Sequence, residues 1–253
     1  MLNEERRRAI LEMVDREGRV LVKDLASRFR TSVVTIRKDL EILHSRGMLE
    51  RTHGGALPTK KGALADPSLS EKEKQHRKEK HRIGEAAAAL VNEGESVILD
   101  SGTTTTVVAR ALRNRHRLTV ITNAVNIATE LAGTSIEVIL TGGTLRENSF
   151  SLVGPLAEET LRRLSADILF LAVDGFDIRT GPTTPNLAEA HVNQVMVETS
   201  RRTVVVCDSS KFGRRSLCQI TAPSNIHHVI TDSKISKADL EALTAAGIKV
   251  TIV

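Results

Sequence analysis

Apolar positions along the chain fall into two regimes. In residues 3–17, Ala9, Ile10, Met13 and Val14 recur at helical spacing, and Gly18 follows as a stop. A short Val20-Leu21-Val22 segment leads to a second short helix over residues 23–29, with Leu25, Ala26 and Phe29 on one side. Thr31-Ser32 offers an N-cap for a third helix over 33–45. Its inward stripe is Val33, Ile36, Leu40 and Leu43, leaving Val34, Lys38, Glu41 and Ser45 on the opposite face with Thr35 and Arg37 on its flanks. Residues 48–56 then read as a small β-wing. From residue 83 onward, short apolar runs alternate with helical stretches of about ten residues. Such runs stand at 97–99, 118–121, 136–140, 168–173, 203–207, 228–231 and 249–253. That alternation predicts a doubly wound, mostly parallel α/β sheet.

The boundaries that follow are a winged helix-turn-helix domain over 1–57, a linker over 58–82 and an α/β domain over 83–253. Pro58 and Pro67 break regular structure in the linker. Its Lys60-Lys61 pair and the charged stretch 68–82 read as a solvated segment that serves solubility, with some non-specific affinity for a polyanion.

Composition sharpens this picture in three places. Residues 1–82 carry 20 lysines and arginines against 13 acids, a net of +7, and residues 83–253 carry 16 against 18, a net of −2. A basic front end on a near-neutral body points to a polyanion partner for the front end alone. Aromatics are 2%, with no Trp or Tyr, which argues against recognition by stacking. Cys207 and Cys218 lack metal-ligand spacing, the first residues are polar, and no apolar run approaches the length of a membrane span. A cytoplasmic protein without cofactor, metal or membrane association is expected.

The candidate chemistry sits in two places. Two short helices, a turn and a third helix with small and basic residues at its exposed end make a helix that enters the major groove. Ser32, Val34, Thr35, Arg37 and Lys38 are its candidate DNA contacts, with Arg51 and His53 of the wing gripping phosphates. In the second half, Val97-Ile98-Leu99 runs into Asp100-Ser101-Gly102-Thr103-Thr104-Thr105-Thr106, a strand delivering hydroxyls to a helix N-terminus, which makes an anion site. It lacks a Gly-Lys-Ser/Thr ending, so it is not a nucleoside triphosphate loop. Ligands of open parallel sheets bind beyond the carboxyl ends of the strands. Asp100, Ser101, Gly102, Thr103, Thr104, Asn123, Gly142, Gly143, Asp174 and Lys211 gather at those ends, with Arg146 as a second charge for a phosphate and Glu189 at a helix start. Asp100 and Asp208 also suit simple helix caps. His227-His228 reads as core or edge histidines, since no carboxylate stands at ligand spacing.

Asp24-Leu25-Ala26 through Phe29, Ser32, the run Thr35-Ile36-Arg37-Lys38-Asp39-Leu40 and the exit His53-Gly54-Gly55-Ala56 resemble the DeoR family of bacterial sugar-catabolism repressors. Thr31 departs from the pattern, which has an apolar residue there. The likeness continues through the Asp100 loop, Thr122-Asn123, Thr141-Gly142-Gly143, Gly154, Asp174-Gly175, Glu189-Ala190 and Asp208-Ser209-Ser210-Lys211. It is nearest to regulators of N-acetylgalactosamine or galactosamine use. The resemblance implies a sensor domain similar in fold to ribose-5-phosphate isomerase, double-stranded operator DNA as partner, a phosphorylated sugar as effector and a dimer or tetramer. Two readings follow: a repressor released from its operator by a sugar phosphate, or an active sugar-phosphate isomerase or deaminase carrying an accessory DNA-binding domain. The isomerase pattern has Ala after Asp-Gly, whereas Asp174-Gly175 runs into Phe176, and no catalytic residue is assigned.

Overall fold

The computed structural model describes residues 3–45, 49–58 and 65–253. Met48 and Lys60-Lys61 lie outside the described residues. The chain divides into two compact units, 1–62 and 63–253, so the second half of the expected linker belongs to the larger unit.

In the first unit, α1 (Asn3–Glu17) ends at Gly18, whose φ of +67° turns its N–H back to Val14 O at 3.0 Å. β1 (Val20–Leu21) runs directly into α2 (Val22–Arg28), and α3 (Val33–Ser45) follows. Ser32 caps α3, its Oγ accepting the Thr35 N–H at 3.1 Å. β2 (Leu49–Thr52) and β3 (Gly55–Pro58) make the antiparallel wing, with β3 between β1 and β2. Ile10, Val14, Leu25, Ile36, Leu40 and Leu43 are its buried core. Val33, expected on the inward stripe, is 36% exposed instead. Helical side chains lean toward the N-terminus, so the first residue of α3 points past the core into solvent.

The larger unit opens with α4 (Leu69–Lys74) and α5 (Arg77–Ala88). β4 (Ser96–Leu99), α6 (Thr103–Leu112), β5 (Thr119–Thr122), α7 (Val125–Leu131) and β6 (Glu137–Leu140) come next. A hairpin of β7 (Thr144–Arg146) and β8 (Ser151–Val153) precedes α8 (Pro155–Arg162) and β9 (Ile168–Leu171). β10 (Gly175–Asp177), β11 (Gly181–Thr184), α9 (Leu187–Glu198), β12 (Thr203–Val206) and β13 (Cys218–Gln219) continue the chain. β14 (His228–Thr231), α10 (Lys237–Ala245) and β15 (Lys249–Ile252) complete it.

Seven strands form one sheet in the order β15-β14-β12-β9-β4-β5-β6, every pairing parallel. Helices cover both faces, as the continuous apolar strands require. On one face, Ile83 of α5 and Val108 and Leu112 of α6 pack with Val97, Leu99 and Phe170. On the other, Leu161 of α8 and Val192 and Met196 of α9 pack with Ile98, Leu169 and Val205. Helices α5 and α6 approach so closely that a Cβ on Gly84 would fall 2.5 Å from Val107 Cγ1. Among the described residues, no helix is long and apolar enough to cross a membrane.

The expected doubly wound sheet is present, and three details differ from the sequence reading. The helix that the apolar run Val107 to Leu112 predicts begins four residues earlier: Thr103 to Thr106 are its first turn, with the Thr105 and Thr106 hydroxyls donating back to Gly102 O. The short β7, β8, β10, β11 and β13 were not anticipated. The charged stretch before residue 83 is not freely solvated, since Lys80 is 6% exposed.

Candidate functional site

In the first unit, the outward face of α3 carries Val34, 73% exposed, with Arg37 and Lys38 also exposed and Thr35 at its flank. Ser32 and Thr35 share a hydroxyl contact of 2.9 Å, so part of their bonding capacity is used in capping the helix. His53 is exposed at the tip of the wing, whereas the Arg51 guanidinium is paired with Glu41 of α3. That pairing fixes the wing to the helix and competes with the phosphate contact expected of Arg51. Asp39, named above only as part of the motif on α3, has a structural role. Only 2% exposed, it accepts Arg6 Nε at 2.6 Å and Arg7 Nε at 2.9 Å, tying α3 to α1 from within.

In the larger unit, strand order sets where the loops at the strand ends part. From β4 the chain adds strands outward through β5 and β6, then returns to add β9, β12, β14 and β15 on the other side. The loops after β4 and β9 therefore diverge around a crevice, the switch point where open α/β sheets bind ligands. A cleft lies there, lined by Asp100, Ser101, Gly102, Thr103, Thr104, Asp174, Glu189 and Lys211 of the expected site. Gly102 is required by space: its φ of 170° suits any residue, but a Cβ would meet Ala172 Cβ at 2.6 Å. The two loops can thus touch, and the N–H groups of the first turn of α6 are presented to the cleft. The Thr103 and Thr104 side chains line it, and among the described residues no hydrogen bond occupies their hydroxyls.

Opposite the helix end lies an acidic group. Asp100 is 1% exposed, accepting the Ala172 N–H at 3.1 Å and facing the amide of Asn193. Burial raises its pKa well above the ordinary carboxylate range, and the charges of Glu189 and Asp174 push the same way. Glu189 is fully engaged: Oε1 accepts Ser151 Oγ at 2.8 Å and pairs with Arg146 Nη1 at 2.5 Å, while Oε2 accepts Thr184 Oγ1 at 3.3 Å. Asp174 is paired with Lys72 Nζ at 2.7 Å.

Other expected residues are placed differently. Arg146 bridges Glu189 and Asp66, the latter at 2.5 Å, and so supports the acidic wall from behind. Asn123 is buried, donating to Leu152 O at 3.3 Å, and neither it nor Gly142 or Gly143 lines the cleft. Asp208 caps a 3-10 turn through Ser210 N at 3.1 Å, which aims Lys211 at the cleft. His227, just before β14, accepts the Thr203 N–H on Nδ1 at 3.1 Å, and His228, buried on β14 between β12 and β15, has Nε2 2.9 Å from Thr251 Oγ1. The charged residues missed include Lys72, His76 and Lys80, which line the cleft from the segment before residue 83, and Asn193 and Thr184 line it as well. The only sequence signal of the first three was charge, and charge alone does not say which lysine is buried.

A pH effect follows from Asp100. Its folded-state pKa lies above the unfolded value, so the native state holds its proton more tightly. Stability therefore falls as pH rises from the ordinary carboxylate range toward the raised value. Asp100→Asn removes that loss without changing the shape of the side chain, and its melting temperature is expected to decline less with pH across that window. Melting curves at a series of pH values check this; an unaltered slope removes Asp100 as the cause.

Comparison with known proteins bears on both units. The model of the DeoR-like helix-turn-helix domain matches residues 6–61, and that of the DeoR C terminal sensor domain matches residues 75–233. The chain is 40% identical over 251 residues to the HTH-type transcriptional regulator GlpR of Haloferax volcanii, covering 99% of this chain and 98% of that one. It is 34% identical to the HTH-type transcriptional regulator GolR of Listeria innocua, covering 98% of each. The glycerol-3-phosphate regulon repressor of Escherichia coli strain K12 is 29% identical over 96% of each chain. Among solved structures, ribose 5-phosphate isomerase A of Methanocaldococcus jannaschii aligns over 53% of each chain with a TM-score of 0.40 and 19% identity.

Proposed function

The chain belongs to the DeoR family of transcriptional regulators, and from that premise we propose that it represses a carbohydrate-catabolism operon and leaves its operator when a phosphorylated sugar fills the cleft. The protein acts as a symmetric homo-oligomer, dimer or tetramer, on double-stranded DNA. The observation that carries the effector reading is the cleft itself. A helix N-terminus with two unspent hydroxyls, Thr103 and Thr104, and the Lys211 ammonium faces carboxyl groups suited to sugar hydroxyls. One end of such a site takes an anion and the other a polyol or amino polyol.

Binding without turnover is the reading that fits the carboxylates. Proton transfer on a sugar phosphate needs a carboxylate free to reach the substrate. Both oxygens of Glu189 are already bonded. Incubation of the pure protein with the ligand panel below is expected to yield no product at enzyme-like rates.

The test is a thermal-shift panel of hexosamine, hexose and pentose phosphates. A true effector at 100 times its dissociation constant stabilises by about 2.7 kcal/mol. In the double variant Ser101→Ala/Thr104→Val, operator binding is expected to persist while the shift and the release from DNA are lost. A response equal to that of the parent would put the ligand elsewhere. On the DNA side, exposed Lys38 gives a second test. Lys38→Ala is expected to weaken operator binding by about 1–3 kcal/mol if it reads a base. Equal weakening on operator and random DNA makes it a phosphate contact instead.

A further inference from the structure

We propose that the effector site extends onto the segment preceding the sheet: Lys72, His76 and Lys80 contact the ligand's anionic group, and Lys72 leaves Asp174 for that group when the cleft fills. The inference rests on the reading of the cleft as a site for a phosphorylated ligand, and it names residues that reading does not include.

Leu69, Lys72, Gln75 and His76 line the cleft, all carried by one segment, the strap of residues 65–76. Polar pins hold it, among them Asp66 on Arg146 at 2.5 Å, the Leu69 N–H on Asn148 O at 2.7 Å and Lys72 Nζ on Asp174 Oδ1 at 2.7 Å. Within the strap, Ser68 and Glu71 form a capping box that starts α4. Yet α4 contributes no buried residue to any core. An element held by polar pins and not by apolar burial is one whose seating depends on the charges beneath it.

Those charges are arranged for an anion. Lys80 is 6% exposed and donates one bond, to Lys72 O at 2.5 Å, leaving two of its three donors for the cleft. Lys211 lines the same cleft and forms no ion pair among the described residues. His76 stands at the break between α4 and α5 with a φ of +50° and also lines the cleft. Burial lowers the Lys80 pKa to about 8; Asp208 opposes that, and the charges of Lys211 and Lys72 reinforce it. Ammonium groups so crowded gain most when a dianion enters among them. The opening rim of α6, with Thr103 and Thr104, faces the same space.

The exchange of partners by Lys72 gives the ligand two contacts at once. Its ammonium goes to the phosphate, and the Asp174 carboxylate it releases accepts a hydroxyl or amine from the rest of the molecule. The class of ligand this fits is a phosphorylated polyol or amino polyol, with both ends needed. Because the strap follows directly on the DNA-binding unit in the chain, a ligand that bonds the strap changes the segment through which that unit is tethered.

Hydrogen exchange of the full-length protein, read by mass spectrometry on peptides spanning 65–76, tests the inference. The probes are inorganic phosphate, glycerol 3-phosphate and glucosamine 6-phosphate, each against sodium chloride of equal ionic strength. A probe that raises the melting temperature is expected to slow exchange at Leu69, Lys72 and Gln75 by about tenfold or more, and Lys72→Met and Lys80→Met each to weaken that probe by about tenfold. Should Lys80→Met fail to fold, Lys72→Met and the exchange of the parent protein still decide the matter. Binding with unchanged or faster strap exchange, or with parental affinity in Lys72→Met, overturns the inference and leaves the sugar-phosphate reading standing. No melting shift with any probe or with the wider sugar-phosphate panel overturns both.

Discussion

Asp39→Ala is expected to unfold the DNA-binding domain while the sensor domain melts as before. The carboxylate is buried in α3 and accepts from both Arg6 and Arg7 of α1. Arg6 is itself 7% exposed. Removing one partner of a buried ion pair leaves the opposite charge uncompensated, at a cost of about 3–5 kcal/mol. A domain of some 60 residues has about that much stability in total. Calorimetry of the full chain should therefore lose its lower transition and keep the upper one, and operator binding should disappear with it. Asp39→Asn keeps the shape and part of the bonding, so it should fall between. A lower transition that survives Asp39→Ala unmoved would mean that the two guanidiniums are compensated by something other than this carboxylate.

The second large effect separates two adjacent glycines. A Cβ on Gly55 would stand 1.8 Å from Val20 O and 2.9 Å from Val20 C, backbone atoms with no rotamer to turn aside. Gly55 pairs with Leu21 across β1 and with Thr52 across β2, so any displacement opens the wing on both sides. Gly55→Ala is expected to cost about 3 kcal/mol or more and to lower operator affinity by displacing His53 and Arg51. At Gly54 a Cβ meets nothing within 4 Å, and Gly54→Ala should stay within about 0.5 kcal/mol of the parent. Equal behaviour of the two variants in calorimetry and operator titration would refute this account of the wing.

What the sequence made legible was whatever depends on apolar periodicity. Strands buried on both faces must be continuously apolar, and Ile168 to Leu171 or Thr203 to Val206 can hardly be anything else. Because these runs alternate with helices, the parallel sheet and the position of its loops followed. The strands that escaped are built from other residues: β11 reads Gly-Pro-Thr-Thr, and its partner β13 comes more than thirty residues later. No local pattern encodes such a pairing. Threonines 103 to 106 misled for a related reason. Threonine is a weak helix former, yet here the first turn is built of threonines, two of whose hydroxyls bond back to Gly102 O.

The site was legible by residue type and only partly by role. Asp100 through Thr104, Asp174, Glu189 and Lys211 do share one cleft. Arg146 was read as a charge for the ligand, but two carboxylates hold it in the structure. A guanidinium goes to the nearest carboxylates the fold supplies, and Asp66 lies 80 residues away in the chain. Lysines 72 and 80 were read as solvated because their neighbours are charged. Which of several lysines turns inward depends on the packing of α5 against the sheet, and periodicity in so polar a segment does not reveal it.

The tight joint at Gly84 has a bearing on how this protein tolerates change. With the Val107 side chain of α6 set directly against the Gly84 backbone of α5, anything larger at that position acts as a shim, tilting the helix whose first turn frames the cleft. Ligand preference can therefore drift through a residue that no ligand ever touches.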